Sequence, residues 1–219
     1  MTDDQNRTDP ATAPHYTREG DDGSTTLGDL GSVGKNDIRV AAYADCGEAN
    51  ANIGLVLALA SGLPVHVLTA LSSVQHDLFD LVTGLGHAKT DQEDSGAAHI
   101  TEAHIQRLES LCDHYSEGLS LVEGYVLPGG TVTSAQLFQA WSVTRRAERT
   151  VWEAASAHDE VSPLPARYLN RLSSLLFVLA RAANAEHGDT MWYPMASVNS
   201  QVETMEDASE QASVQNIEE

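Results

Sequence analysis

The sequence predicts an all-α fold, a five-helix antiparallel bundle flanked by disordered acidic tails. Apolar residues recur at spacings of three and four in five segments of 17 to 25 residues, which is the period of an amphipathic helix. No segment shows a convincing alternation of apolar and polar residues, so no strand is expected. The connections between the segments are short, and short connections favour antiparallel neighbours in a bundle.

The boundaries of the five helices follow from this periodicity and from the residues that interrupt it. The first helix is expected to end at Gly62 and Pro64, since neither residue continues a helix easily. The polar stretch 87–98 is predicted to be a loop, and the turn signal at 127–131 precedes the fourth helix. The expected helices span residues 37–60, 65–84, 101–117, 133–157 and 164–185.

The acidic composition excludes several classes of function. The chain has 12 Lys and Arg against 32 Asp and Glu, a formal net charge of −20. Such a surface repels nucleic-acid phosphates and anionic membranes. The polar tails 1–15 and 198–219 together hold a charge of −8, and their composition is typical of disorder. The domain is therefore expected over residues 16–197, with a charge of −12.

Cysteine usage and hydropathy indicate a cytoplasmic protein without structural metal. Cys46 and Cys112 are too few for a disulfide framework and lack the spacing of a zinc site. Both are read as small buried apolar residues. The nine histidines show no metal-binding spacing, so no protein metal site is predicted. The N-terminus lacks the apolar region of a signal peptide, and the longest apolar runs are too short to span a bilayer.

The few basic residues are concentrated in the last two helices. Six of the 11 bases in the domain lie between positions 145 and 181. Arg145 and Arg149 are one helical turn apart, with Glu148 beside them. Two guanidinium groups on one face suit a triphosphate, because each binds phosphate oxygens bidentately. The alternative is a solvated face whose arginines pair with neighbouring acids, and composition alone does not decide between them.

A loop rich in glycine, hydroxyl side chains and one arginine precedes the first helix, over residues 16–27. Such a loop can direct backbone N–H groups and hydroxyls at a polyphosphate, or it can be an ordinary turn. The neighbouring segment 28–36 has the outline of a P-loop but fails in detail. Asp29 stands where that motif needs glycine, and Asn36 where it needs serine or threonine.

The segment Tyr168-Leu-Asn-Arg-Leu-Ser173 places an amide inside an apolar helix. An asparagine is disfavoured there unless its side chain has a hydrogen-bond partner. We expect Asn170 either to link two helices or to contact a ligand.

Five segments in this order resemble the ATP:corrinoid adenosyltransferases of the propanediol-utilisation type. The resemblance runs from about Tyr16 to Pro194. It implies a five-helix bundle that forms homotrimers with active sites between subunits. It also implies transfer of the 5′-deoxyadenosyl group of ATP to the cobalt of a reduced corrinoid such as cob(I)alamin, with magnesium on the released triphosphate. The segments are Tyr16-Thr-Arg-Glu-Gly-Asp-Asp-Gly, Lys35-Asn-Asp-Ile-Arg-Val, Val126-Leu-Pro-Gly-Gly, Arg145-Arg-Ala-Glu-Arg and Tyr168-Leu-Asn-Arg-Leu-Ser.

The resemblance also implies roles for individual residues. Arg145 and Glu148 would face the triphosphate and its metal as the catalytic pair. Tyr125 would lie below the corrin ring, where the family usually has phenylalanine. The expected ATP contacts are Thr17, Arg18, Glu19, Gly20, Thr25, Thr26, Lys35, Arg149 and Asn170.

Four positions depart from the family's pattern. Gly47 and Trp141 replace an Asp and an Arg that pair across the family's subunit interface, and loss of both leaves no charge unpaired. Phe138 replaces a histidine, and Ser174 an aspartate. Two functions therefore stay open. One is an active adenosyltransferase that works with a corrinoid reductase or an adenosylcobalamin-dependent enzyme. The other is a paralogue that binds ATP or corrinoid as a carrier, sensor or assembly partner.

Overall fold

A computed structural model of the chain describes residues 16–60, 62–87 and 98–199. All five predicted helices are present, with ends within three residues of those expected, so the helical bundle is confirmed. A sixth helix of four residues extends into the C-terminal segment predicted to be disordered. The rest of that tail, residues 1–15 and all but the two end residues of the loop predicted over 87–98 lie outside the described residues. The helices are α1 Ile38–Leu59, α2 Val65–Leu85, α3 Glu102–Ser116, α4 Val132–Ala157, α5 Leu164–Ala182 and α6 Ala196–Asn199.

The contact between α1 and α4 is a seam of small and medium side chains. Buried positions alternate at spacings of three and four on both helices, an average of 3.5 that is typical of knobs-into-holes packing. Alanine recurs every seventh residue on each helix, which lets the two backbones approach closely. We define the seam by the buried residues that follow this repeat, which are Ala42, Cys46, Ala49, Ile53 and Val56 on α1 and Leu137, Ala140, Thr144, Ala147, Val151 and Ala154 on α4.

One buried carboxylate joins three of the helices. The helix α4 packs between α1 and α5, while α5 also contacts α3 and α1 contacts α2. Asp77 on α2 is only 7% exposed. Its Oδ2 accepts a 2.7 Å hydrogen bond from the hydroxyl of Tyr168 on α5 and is ion-paired with Arg107 on α3. Burial, and then the Asp77 charge, raise the pKa of Tyr168 well above its ordinary value.

A short β-hairpin precedes α1, contrary to the expectation of no strand. Strands β1 (Ser24–Thr26) and β2 (Ser32–Gly34) pair antiparallel, with Thr25 opposite Val33. Three residues are too few to give an alternating pattern, which explains the wrong prediction. The connecting turn rests on the end of α2, where a Cβ on Gly28 would lie 2.2 Å from the Gly86 oxygen. Only glycine fits this contact.

The start of α1 is fixed by Asp37. Its carboxylate accepts the backbone N–H of Arg39 at 2.9 Å, as an N-cap does, and pairs with the Arg39 guanidinium at 2.8 Å. Arg39 also pairs at 3.0 Å with Glu160, which follows α4. The hydrogen bond from the Arg39 side chain is the main reason why the pKa of Asp37 falls to about 2. This cap therefore joins the end of the hairpin to the bundle.

Some large apolar side chains of α1 and α2 lie outside the core. Phe79 on α2 is 64% exposed, and Tyr43 and Leu55 on α1 are nearly half exposed. On α1 and α2 the apolar face is wider than the part of it that the neighbouring helices cover. Cys46 is fully buried, as predicted, whereas Cys112 is only half buried. No helix in the described ranges has both the length and the apolar character needed to cross a membrane.

We expect Tyr168→Phe to lower the free energy of unfolding by about 2 kcal/mol, because it removes a neutral donor from a buried carboxylate. Urea denaturation monitored by circular dichroism measures this change. Tyr193→Phe is the matched control, since Tyr193 is 68% exposed, and it should shift the free energy by less than about 0.5 kcal/mol. Equal effects of the two substitutions would contradict the role of the Asp77 cluster.

Asp37→Asn should destabilise the protein in a pH-dependent way. The folded pKa of Asp37, about 2, lies below the ordinary value of 3.8. Its charge therefore contributes stability above pH 3.8, and this contribution is lost as the pH falls towards 2. We expect a loss of roughly 2 kcal/mol at pH 7 that shrinks towards zero near pH 2. Denaturation curves at both pH values test this, and a deficit that is independent of pH would refute it.

Candidate functional site

The N-terminal loop folds back onto Lys35. The N–H of Gly23 donates to the oxygen of Gly20 at 3.1 Å, and the N–H of Lys35 donates to the oxygen of Gly23 at 2.8 Å. Gly20 has a φ of +79°, and a Cβ there would lie 2.5 Å from the oxygen of Ser24 and 3.1 Å from Lys35 Nζ. Glycine is therefore required where the loop meets the lysine. Two segments 15 residues apart in sequence form one surface.

The side chains of this loop leave their polar groups accessible. Thr17 Oγ1 accepts the N–H of Glu19 at 3.2 Å, and both residues are exposed. Arg18 has a φ of +64° and its guanidinium lies 5.7 Å from the centre of the Tyr16 ring. The hydroxyl of Ser24, and then its N–H, donate to Asp22 and lower the pKa of that carboxyl. The backbone of the loop is thus fixed by hydrogen bonds, while the side chains of Thr17 and Arg18 remain exposed to solvent.

Two adjoining cavities lie beside the hairpin. Thr25 and Thr26 line the first, of about 400 Å³, together with Tyr43 from α1. Tyr43 also lines the second, of about 310 Å³, which runs between α1 and α2 past Gly47 and Phe79. A Cβ on Gly47 would meet no atom within 4 Å. The hairpin hydroxyls therefore lead into a largely apolar groove.

The second group of predicted residues lies on the outer faces of α4 and α5. The amide of Asn170 donates to Glu148 Oε1 at 3.1 Å and so links the two helices. Arg171 donates to the oxygen of Asn170 and pairs at 2.8 Å with Glu109. Asn170 is exposed, and its amide links two helices, which is one of the two roles expected for it. The apolar face of α5 turns inward beside Asn170, and the amide occupies the edge of that face.

Ion pairing divides the cationic side chains into two sets. Among the described residues, four Arg and Lys side chains have no ion pair with a carboxylate, and these are Arg18, Lys35, Arg145 and Arg149. The other six are all paired, namely Arg39, Arg107, Arg146, Arg167, Arg171 and Arg181. Pairing with neighbouring acids thus accounts for Arg146 but not for the arginines on either side of it. The unpaired cations are those singled out from the sequence for a triphosphate.

Within one subunit, the two groups lie at different heights along the bundle. The antiparallel contacts put Arg39 beside Glu160 and Glu48 beside Arg146. Lys35 precedes the first residue of α1, whereas Arg145 is level with about its eleventh. Lys35 and Arg145 are therefore separated by about 15 Å along the axis, at 1.5 Å per residue. No hydrogen bond or ion pair joins them in the described part of the chain.

Tyr125 belongs to an exposed aromatic pair that sequence patterns did not indicate. Its ring is 73% exposed and lies edge-on to Trp192, with the ring centres 5.8 Å apart. The N–H of Trp192 donates to the oxygen of Tyr125 at 2.8 Å. The short bridge between Val126 and Met191 continues this contact. The pairing joins segments far apart in sequence, and neither segment carries a periodic signal.

The four departures from the family pattern have different surroundings. Phe138 is buried and Trp141 half buried, and both contact Phe177 on α5, with ring centres 5.9 Å apart in each case. Trp141 also lies under the guanidinium of Arg145, at 5.1 Å. Gly47 and Ser174 are exposed. The two aromatic replacements thus form a packed cluster with Phe177 next to a predicted catalytic residue.

The described residues contain neither a candidate metal site nor a reactive thiol. No group of three or more His, Cys, Asp or Glu in the described ranges could hold a metal ion. Burial raises the pKa of Cys46 to about 12 and that of Cys112 to about 11, so both remain thiols at neutral pH. The chemistry of this part of the chain lies in its cations, hydroxyls and one carboxylate, Glu148.

Comparison with known proteins identifies the family of the chain. The family described as Cobalamin adenosyltransferase matches residues 15–183. The corrinoid adenosyltransferase of Mycobacterium tuberculosis is 49% identical over 181 residues, 82% of this chain and 92% of that protein. That of Mycobacterium leprae is 47% identical over 184 residues, 82% and 95% of the two chains. A solved structure of a variant PduO-type ATP:corrinoid adenosyltransferase from Lactobacillus reuteri, complexed with cobalamin and ATP, has a TM-score of 0.75 and 30% identity, covering 83% of this chain and 97% of that one. The chain belongs to the cobalamin adenosyltransferase family.

Proposed function

We propose that the chain transfers the 5′-deoxyadenosyl group of ATP to the cobalt of a reduced corrinoid through the four unpaired cations and the loop that precedes α1. The observation that carries the proposal is the set of cations without ion pairs, Arg18, Lys35, Arg145 and Arg149. In a chain with a net charge of −20, a cation without a carboxylate is available to an anionic ligand. ATP and cobalamin are both bound in the related Lactobacillus reuteri structure.

The reaction requires positioning more than acid or base catalysis. The electron pair of Co(I) attacks the C5′ carbon of ATP, a cobalt–carbon bond forms, and the C5′–O bond breaks. The electrons of that bond leave with the triphosphate. The corrinoid supplies the nucleophile, so the protein's work is to hold C5′ against cobalt and to stabilise the leaving group. Cations and backbone N–H groups suit this task, and no protein nucleophile is needed.

The loop and the arginines divide this work. The hydroxyls and N–H groups of residues 17–26 and the ammonium of Lys35 bind the nucleotide from one side. Arg145 and Arg149 bind the triphosphate from the other side, since the bidentate guanidinium matches phosphate oxygens. Glu148, oriented by the amide of Asn170, faces the magnesium that ATP carries. Mg²⁺ is commonly held by one or two carboxylates and the substrate's phosphates, so one carboxylate fits.

Tyr125 and Trp192 form the apolar surface for the lower face of the corrin. Exposed aromatic rings that pack on each other exclude water and polar ligands from one side of a flat macrocycle. A cobalt ion without a lower ligand is easier to reduce to Co(I). The Tyr125 hydroxyl is the polar group that this chain adds at the position.

The active site is shared between subunits of a homotrimer. Within one subunit Lys35 and Arg145 are about 15 Å apart along the bundle axis, too far for one triphosphate to bridge easily. A neighbouring copy brings the loop of one subunit to the arginines of the next. We also propose a cytoplasmic location, where a reductase supplies Co(I) and an adenosylcobalamin-dependent enzyme uses the product.

Arg145→Met should abolish most of the transfer activity while the fold is retained. Mixing the protein with ATP, Mg²⁺ and chemically reduced cobalamin produces adenosylcobalamin, followed by the visible spectrum. We expect a loss of about a hundredfold in kcat/KM, as for removal of one preorganised donor from a transition-state site. The matched control is Arg167→Met, because Arg167 is also exposed but is paired with Glu102.

Wild-type protein that binds ATP without forming product would refute the transfer reaction and favour a binding role. Equal losses in the two arginine variants would refute the distinction between paired and unpaired cations.

Mixed oligomers test whether the site is shared. Lys35→Ala and Arg145→Met should each be inactive alone. Unfolding and refolding them together allows the loop of one variant to meet the arginines of the other. Random assembly of a cyclic trimer then restores about a quarter of the wild-type sites. Mixing the two variants without exchange of subunits is the control. No recovery in verified mixed trimers would show that each site belongs to one subunit.

A further inference from the structure

Arg145 is held by an aromatic ring instead of a carboxylate. Its guanidinium carbon lies 5.1 Å from the centre of the Trp141 ring, within the range of a cation–π contact. No ion pair involves Arg145 among the residues that the structure describes. The next residue behaves differently, since Arg146 pairs with Glu48 and Asp45 of α1. Of these two adjacent arginines, Arg145 is thus restrained by an aromatic ring and Arg146 by carboxylates.

The ring that restrains Arg145 is itself fixed by packing. Trp141 lies 6.2 Å from Phe138 and 5.9 Å from Phe177 between ring centres. Phe138 is buried in the core, and Phe177 projects from α5. The indole is therefore held between α4 and α5 and has little freedom to change rotamer. Because Trp141 and Arg145 are four residues apart on α4, the helix itself brings the ring to the guanidinium.

We infer that Trp141 is a positioning residue that pre-orients the Arg145 guanidinium for a polyphosphate ligand while leaving its charge available. A carboxylate in the same place would orient the arginine but would also neutralise it and compete with the ligand's phosphates. The face of an indole attracts the cation without carrying a negative charge. The Arg145 side chain is therefore already ordered, which lowers the entropy lost on binding. Its charge remains available to attract the ligand. The inference rests on the proposed function, in which Arg145 contacts the triphosphate.

The test is a double-mutant cycle on ATP affinity. Trp141→Leu removes the aromatic face and keeps an apolar side chain. Isothermal titration with Mg–ATP should show a Kd raised about two- to fivefold relative to the wild type, the range expected for a cation–π contact near the surface. Trp141→Phe keeps an aromatic face and should remain within about twofold of the wild type. In an Arg145→Met background, Trp141→Leu should change the Kd no further.

Phe177→Leu is the matched control for packing. Phe177 contacts Trp141 in the same cluster, but no contact joins its ring to Arg145. This variant should lower the unfolding midpoint by an amount similar to Trp141→Leu and leave the Kd for Mg–ATP unchanged. A shift in Kd equal to that of Trp141→Leu would make the effect one of packing alone and would overturn the inference.

The outcomes separate this inference from the proposed function. If the wild-type protein shows no binding of Mg–ATP, both the proposed function and the role of Trp141 are refuted. If the wild type binds and Trp141→Leu binds equally well, only the role of Trp141 is refuted. A further weakening by Trp141→Leu in the Arg145→Met background would show that the indole acts independently of the arginine, which also overturns the inference.

Discussion

The packing of α4 against α1 and α5 is the contact on which the rest of the structure depends. Its buried residues follow the 3.5-residue repeat of a helical bundle, and this repeat fixes the direction of every other residue on the helix. Arg146 is directed at the acidic flank of α1, where Asp45 and Glu48 neutralise it. Arg145 and Arg149 are one turn apart and point away from those carboxylates. The buried residues of the seam thus set the orientation of α4, and this orientation decides which arginines meet carboxylates. Arg146 is ion-paired, whereas Arg145 and Arg149 remain available to a ligand.

The scarcity of positive charge gives this sorting its functional meaning. Most cations of the described residues join elements of the bundle: Arg39 fastens the start of α1, and Arg107 satisfies the buried Asp77. In those contacts the arginines neutralise carboxylates that are partly buried. The cations left over come from the loop before α1 and from α4, and the hairpin determines where the first of these lie. A protein that repels polyanions in bulk can thus retain a local site for one triphosphate, because a few charges within a Debye length of about 8–10 Å outweigh a more distant acidic surface.

Sequence reasoning succeeded where the signal is local and repeated. The five helices followed from periodicity over many residues. Gly20, which approaches Lys35 closely, lies in a loop whose composition already indicated a special backbone. It failed where three residues decide the structure, as in the hairpin. It also could not show that Asn170 lies at the exposed edge of α5. The contact of Tyr125 with Trp192 depends on a long-range bridge that no local pattern specifies. Composition and spacing could not separate the free arginines from the paired ones, because acids lie near all of them in the chain and the helix faces decide which ones meet. Only the family resemblance singled out the cations that have no ion pair in the described part of the chain.

The aromatic cluster on α4 and α5 shows how a change of partner can preserve an arginine's availability. A guanidinium beside a carboxylate is ordered, but much of its field is cancelled, and a phosphate must compete for its N–H groups. Beside an indole its N–H groups have no carboxylate partner, and its full charge still acts on a ligand. The cost is the repulsion between Arg145 and its cationic neighbours, because no carboxylate among the described residues forms an ion pair with Arg145. In this chain the surrounding acidic residues lower that repulsion without binding the arginine, so a surplus of negative charge at a distance and an uncharged ring in contact together maintain a cation that is ordered and unpaired.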